Sequence, residues 1–403
     1  MSKLFRAEIQ SKKILVVFVT AVLVFLIGAF VQFKKTEKAG NNDFSVYYKT
    51  SVRLADSNWD NIYTRKDGPF PFRYIPYSLV SFTWPDHFTE SEARKVWVVV
   101  QAFAFGIAFY FLYQSLVIVN SQWPLLAASL SSLMTFRYYM DSYFSGQTAG
   151  LMFLSFSLGL YFFLKKQTVR DGVSISFAAS LKIFPGILLI HGLIKAEGTS
   201  RKIRFLLSGI LLFIFLNLIF LAWLYYHNAV HQFSMLWKNW IDICLADSEY
   251  FDGSTPKSQS LRAFMLRVYG KNEKVEFYWK ITTLLGISSL IIYWIKAKTK
   301  SLYEEGFSYC MGILAFLFFM PESLPHQLMA VAIPLAFLIG HPNVKTKMSY
   351  KIMLTAFAAI ITFASTDFIG RWPSDKLQQW SIPFIIITFM ACLFFQKDHV
   401  VKT

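Results

Sequence analysis

Asp43 heads the string Asp43-Phe44-Ser45-Val46-Tyr47-Tyr48, which runs on to Leu54 and Ala55 with apolar residues near helical spacing. A carboxylate at the start of such an amphipathic helix can accept a proton from a hydroxyl substrate. It can equally serve as the helix N-cap, a role Asp favours. Both readings stay open on residue chemistry alone. Lys182, in Lys182-Ile183-Phe184-Pro185, interrupts an apolar run; there an ammonium either meets an anion such as a phosphate or anchors the turn by snorkelling. Arg73 stands in Phe70-Pro71-Phe72-Arg73-Tyr74-Ile75-Pro76, shortly after Tyr63. That string otherwise has the aromatic, proline-rich character of an interfacial anchor. His326 ends the turn Pro321-Glu322-Ser323-Leu324-Pro325-His326, ahead of Gln327. It is a titratable imidazole or an ordinary capping residue. Gly146-Gln147 opens an apolar run just after Arg137 and Asp141, and Lys257-Ser258-Gln259-Ser260-Leu261-Arg262 precedes another. Helix N-termini and Ser or Gln side chains can hold sugar hydroxyls or phosphates.

The elements that must position these groups follow from composition. Over 403 residues the hydrophobic fraction is 55%, charged residues are only 16%, and the mean hydropathy is +0.43. Lipid is therefore the main solvent. The net charge of +16 falls in short Lys and Arg clusters between apolar runs, a pattern of membrane orientation rather than nucleic-acid binding. Cys244, Cys310 and Cys392 are far apart, so neither a disulfide framework nor a metal knuckle is expected. There is no Gly-Lys-Ser/Thr phosphate loop, no dinucleotide fingerprint and no His-Glu-x-x-His, which leaves a nucleotide-driven mechanism without residues. No cofactor or metal ligand set is expected.

Apolar segments run over 14–33, 96–118, 124–136, 147–164, 172–194, 203–226, 277–295, 307–320, 327–340, 350–366 and 380–395. The first, too long for a signal-peptide core, is expected to be a retained helix. Lys3, Arg6, Lys12 and Lys13 start the chain on the cytoplasmic side, and alternation puts 34–95 outside and Lys165–Arg170 inside. Lys195, Arg201, Lys202 and Arg204 also ask to be inside, so 172–194 must enter and return. Pro185 after Lys182 supplies the break. Both termini are then cytoplasmic, with 34–95, 137–146, 227–276, 366–380 and the turn 321–326 on the far side. The expectation is an all-α polytopic membrane protein, a single domain over 1–403, with about 11–12 membrane segments, a broken or re-entrant helix pair and amphipathic helices lying on the membrane in the first outer loop. The outer loops 34–95 and 227–276 would carry the active face.

Taken in order, the strings at 43–48, 72–76, 146–147, 182–185, 258–261 and 321–326 resemble glycosyltransferase family 87 over about positions 40 to 330. That family holds bacterial polyprenyl-phosphate-dependent mannosyl- and arabinofuranosyltransferases of the membrane-embedded GT-C type. The resemblance implies a hexosyl or pentosyl transferase that moves a sugar, mannose first, from a polyprenyl-phosphate donor to a lipid or glycan acceptor. It would work on the non-cytoplasmic face of a bacterial inner membrane, in contact with membrane lipids and no nucleic acid. Asp43 matches the family's general base. Lys182, Arg73, Gln147 and His326 would hold the donor phosphate or sugar; Tyr47, Tyr48, Tyr74, Gln259 and Ser260 would contact acceptor or sugar. The sequence departs from the family at Gln327, where a second His is usual, at Leu324 for Trp and at Ser258 for Asn. On the residues alone, a lipid or solute transporter competes with the enzyme, but titratable groups deep in several helices, which a permeation path needs, are few apart from Lys182.

Overall fold

The computed structural model describes residues 11–36, 42–64, 71–250, 258–297, 301–341, 371–382 and 385, with the backbone alone for 245–250 and 371. Among these residues every regular element is helical, since a backbone in hydrocarbon must satisfy its N–H and C=O groups within its own segment or a closed barrel. In chain order the α-helices are α1 (Lys12–Lys35), α2 (Asp43–Ala55), α3 (Glu90–Ile118), α4 (Pro124–Met134), α5 (Phe136–Ser145), α6 (Ala149–Leu164), α7 (Thr168–Leu181), α8 (Ile187–Lys195), α9 (Thr199–Tyr226), α10 (Phe233–Tyr250), α11 (Leu261–Tyr269), α12 (Glu273–Lys296), α13 (Leu302–Phe319), α14 (Pro325–Leu328), α15 (Ala332–Ile339) and α16 (Arg371–Gln379). Within the described residues, α1, α3, α9, α12 and α13 are long and apolar enough to cross a membrane; α4, α6, Phe184–Lys195 and Pro325–Ile339 are shorter apolar helices. The apolar runs read from sequence thus divide into full-length and short helices. Segment 350–366 and most of 380–395 lie outside the described residues.

Burial sorts these helices. α13 is mostly enclosed, whereas α1, α9 and α12 keep most of their apolar surface outward, as helices solvated by lipid do. α6 packs against both α3 and α7, and α15 against α4 and α13. Their shared core is aromatic: Phe105, Phe153, Phe156, Tyr309, Phe316 and Phe337 are all nearly inaccessible. Tyr309 hydroxyl donates to the Phe156 carbonyl at 3.1 Å, which satisfies a polar tip that would be costly to leave bare in that core.

The run 172–194 is broken as its charges require. α7 ends at Leu181, Lys182 is extended (φ −149°, ψ 136°), and a 3-10 turn over Phe184–Gly186 with Pro185 leads into α8. The chain returns to where it started: Lys166 before α7 lies 4.0 Å from Glu197 after α8, and Lys166 also pairs with Glu305 at the start of α13 at 2.6 Å. A 14-residue α7 is about 21 Å long, so Lys182 is carried that far from the Lys166 end. Small residues let α9 close on this hairpin. A Cβ on Gly172 would run into Ser208 and lie 2.9 Å from the Phe205 carbonyl, and a Cβ on Gly209 would stand 2.5 Å from Ser176 Oγ. Close backbone approach of this kind is the usual means of association where no hydrophobic force acts between helices.

The first outer loop departs from expectation in what covers it. α2 is the amphipathic helix the spacing indicates, but its apolar face is covered by protein rather than lipid. Phe44, Tyr47 and Leu54 are buried with Tyr63, Phe72, Tyr74, Tyr77 and Phe82 in a second aromatic core. Tyr63, Phe72 and Tyr74, read as interfacial anchors, are therefore packed inward, and Phe70 lies outside the described residues. Rings at 4.7–6.4 Å, edge-on or tilted, link Tyr47 to Phe72, Tyr74, Phe82 and Trp97, geometries that add to simple area burial.

Filling the hairpin's contact tests this packing. Gly172→Val should destabilise the protein by about 1–3 kcal/mol, measured as a lowered melting temperature in detergent, because both backbones would have to part. An unchanged melting temperature would mean that α9 does not rest on α7.

Candidate active site

The two readings of Asp43 part at the neighbouring residue. Asn42 is the N-cap of α2 and closes a capping box with Ser45. Its side chain accepts from Phe44 N–H at 3.1 Å, while its own Nδ2 donates to the Phe144 carbonyl at 2.7 Å. The capping alternative for Asp43 is thereby corrected: Asp43 is the first helical residue, and its carboxylate serves elsewhere. Gln147 Nε2 donates to Asp43 Oδ2 at 2.5 Å, a charge-assisted bond.

This contact exists because Gly146 allows it. Gly146 ends α5 in the left-handed region at φ +73°, and a Cβ there would stand 2.5 Å from Phe44 Cβ. The α5–α6 turn therefore lies directly against the start of α2. Behind Gln147 stands Tyr74, whose hydroxyl donates to Gln147 Oε1 at 3.2 Å and lies 3.0 Å from Thr148 Oγ1 and 2.7 Å from the Tyr47 hydroxyl. Tyr63 hydroxyl holds the Tyr74 carbonyl at 2.9 Å. Burial pushes the Tyr74 phenol up to about 12, partly opposed by its hydrogen bonds from Thr148 and Tyr47. Tyr47 is pushed up by burial and by the nearby Tyr74 and Asp43. Both phenols stay protonated at neutral pH. Tyr74 thus fixes which end of the Gln147 amide faces the acid, because a carboxylate accepts only.

Lys182 reaches the same place from the tip of the hairpin. It is half-buried and within electrostatic range of Asp43, Glu322 and Arg73. His326 joins from the N-terminus of α14, which packs on α5. It is 3% exposed, with Nδ1 3.6 Å from Asp141 Oδ2 and with Lys182 and Asp43 in electrostatic range. Burial pushes its pKa down against the pull of Asp141, and its Nε2 is buried with no hydrogen-bond partner.

The remaining candidates also tie the loops to the bundle. Arg73 carbonyl accepts from Trp240 Nε1 at 3.0 Å, which ties α10 to the outer loop. Tyr48 hydroxyl donates to the Phe88 carbonyl at 3.1 Å. Gln259 and Ser260 are buried. Gln259 N–H donates to the Ser323 carbonyl at 2.8 Å, and Ser260 both donates to the Pro321 carbonyl at 3.0 Å and caps α11 through Ala263 N–H. They fasten the turn that carries His326. Asn42, Tyr63, Thr148 and Glu322 join the site without having been chosen from sequence. Only Asn42 carried a local signal, an Asn three residues before Ser45 at the head of an amphipathic run.

Comparison with known families decides what such a site belongs to. A family model described as glycosyltransferase family 87 matches residues 72–321, more than half of the 403 residues. The chain belongs to glycosyltransferase family 87. Family membership makes it a membrane glycosyltransferase, acting on a sugar donor and an acceptor. Arg73, Tyr74, Gln147, Lys182, Gln259 and Ser260 fall within the matched span, while Asp43, Tyr47, Tyr48 and His326 lie just outside it. Among curated proteins, none matches the chain.

Gly146→Ala adds a methyl at positive φ against Phe44. It should cost about 1–2 kcal/mol from the backbone alone and separate Gln147 from Asp43, so melting temperature and transferase turnover should fall together. A variant as stable and active as the wild type would mean that the close approach at Gly146 does not hold this site.

Proposed function

We propose that this family 87 enzyme transfers a sugar, mannose first, from a polyprenyl-phosphate donor to a hydroxyl of a lipid or glycan acceptor, with Asp43 as general base. The observation that carries the reading is the meeting of the Asp43 carboxylate with a set of cations, beside a second carboxylate at Glu322. Asp43, freed from capping and held by Gln147, shares its surroundings with Lys182 and Arg73. Each group has a task in such a transfer. The acceptor hydroxyl gives its proton to the Asp43 carboxylate as its oxygen attacks the anomeric carbon. The bond from that carbon to the phosphate oxygen breaks, and polyprenyl phosphate departs with the electron pair. Lys182 and Arg73 stabilise the phosphate charge, most strongly in a setting that excludes water.

His326, with a neutral imidazole, and the Tyr74–Tyr47 pair border the sugar in this reading. Tyr48, Gln259 and Ser260 hold the surrounding loops to the bundle. In this reading the Asp43 end of the hairpin faces away from the cytoplasm of a bacterial inner membrane; the gathering of Lys166 and Lys195 at the other end supports this, since basic residues accumulate on the cytoplasmic side.

Two measurements test this. Asp43→Asn keeps shape and loses basicity, so turnover should drop by about 10²-fold or more with donor binding nearly intact, whereas Lys182→Ala should weaken binding of a polyprenyl-phosphate sugar. Full transfer by purified Asp43→Asn protein would remove Asp43 as the base. For sidedness, a cysteine placed at Ser57 should react with an impermeant thiol reagent in intact cells and one at Thr168 should not; the reverse pattern overturns the orientation.

A further inference from the structure

The turn that delivers Gln147 to Asp43 has a backbone accounting problem of its own. Gly146 and Gln147 lie between α5 and α6, where their carbonyls have no helical partner, and the first N–H groups of α6 are likewise without one. All of this is enclosed, so each group needs a partner from outside the turn. α3 supplies them from two side chains one helical turn apart. Trp97 Nε1 donates to the Gly146 carbonyl at 2.7 Å. Gln101 Nε2 donates to the Gln147 carbonyl, and Gln101 Oε1 accepts from Gly150 N–H at 3.0 Å. Gln101 is completely buried and Trp97 nearly so. A primary amide is suited to this place, because its two ends satisfy a carbonyl and a first-turn N–H together. A side chain on Gly150 would collide with Gln101 Oε1, so glycine there is what lets the amide lie against the backbone.

We propose that Trp97 and Gln101 are positioning residues of the transfer reaction: by gripping the Gly146 and Gln147 carbonyls they set where the Gln147 side chain meets Asp43. The proposal rests on the reading of Asp43 as general base. Neither residue touches substrate; both act through Gln147. The Asp43–Gln147 contact spans α2 and the α5–α6 turn, two elements that the sequence separates by 104 positions. Its length is therefore set by what fixes the turn, and α3 is the helix that does so. A misplacement near 1 Å can cost about 10²-fold in rate, whereas donor binding through Lys182 lies on a different helix pair and should feel little of it.

The test is steady-state kinetics with a labelled polyprenyl-phosphate mannose and membrane-lipid acceptors, on full-length protein in detergent with melting temperatures recorded. Gln101→Met keeps length and apolar bulk and removes both hydrogen bonds. Trp97→Phe keeps an aromatic ring and removes the indole N–H. Turnover is expected to fall roughly tenfold in Gln101→Met and by a smaller factor in Trp97→Phe, with donor KM held within about twofold. Because both act through one amide, combining Gln101→Met with Gln147→Leu should lose little beyond the larger single effect. Turnover within twofold of wild type in both variants, a change confined to donor KM, or losses that multiply in the double variant would each overturn the proposal. Should Gln101→Met fail to fold, Trp97→Phe alone decides: wild-type turnover overturns the proposal. If Asp43→Asn retains turnover, it is the general-base reading that fails; if Asp43→Asn abolishes turnover while the α3 variants keep theirs, positioning fails alone.

Discussion

The hydrogen bond from Gln147 to Asp43 is the constraint on which the candidate site of this protein depends. It joins the first turn of α2 to the α5–α6 turn at 2.5 Å, and almost every neighbour contributes to keeping it. Asn42 takes the capping duty that would otherwise occupy the carboxylate. Gly146 gives up a side chain so that the turn can lie on Phe44. Tyr74 holds the far end of the amide, and its own hydroxyl is kept protonated by burial.

The second constraint is the hairpin of α7 and α8. A lysine in the middle of a spanning helix would be stranded in hydrocarbon at a cost of several kcal/mol. Breaking the run at Lys182 and Pro185 turns that liability into a site, since the ammonium emerges at the tip beside Asp43, Glu322 and Arg73. The two ends of the hairpin are pinned on the opposite side, where Lys166, Glu197 and Glu305 meet. One folding decision therefore separates an end rich in structural ion pairs from an end where Asp43 and Glu322 gather with the cations Lys182 and Arg73. The glycines and serines along α7 and α9 let the two helices approach closely.

Much of this was legible in the residues. The apolar runs, the helix over the first of them, the break at Lys182 and the helix after Asp43 all follow from periodicity, from charge placement and from proline. The order of short motifs led to the family, which the match over residues 72–321 bears out. The role of Asn42 was less visible, because Asn42 and Asp43 are both good caps and only the backbone decides which of two adjacent residues is outside the helix (for Asn42, φ −134° and ψ −172°). The aromatics of 63–82 read as membrane anchors because each alone is amphipathic. Packed together with Tyr47 and Trp97 they form a core instead.

What the sequence by itself determined was the solvent of this protein, its all-helical class and the set of residues able to do chemistry, since those depend on local composition and on the spacing of a helix. Which of those residues meet was decided only in three dimensions. Asp43 and Gln147 are 104 positions apart, Asp141 and His326 come together from α5 and α14, and Gln259 and Ser260 were drawn away from the surface to fasten the turn at 321–323. The physical reason is that each pairing depends on close packing between elements distant in the chain, on a missing Cβ here and a buried carbonyl there. Such fits have no period along the sequence by which they could be read.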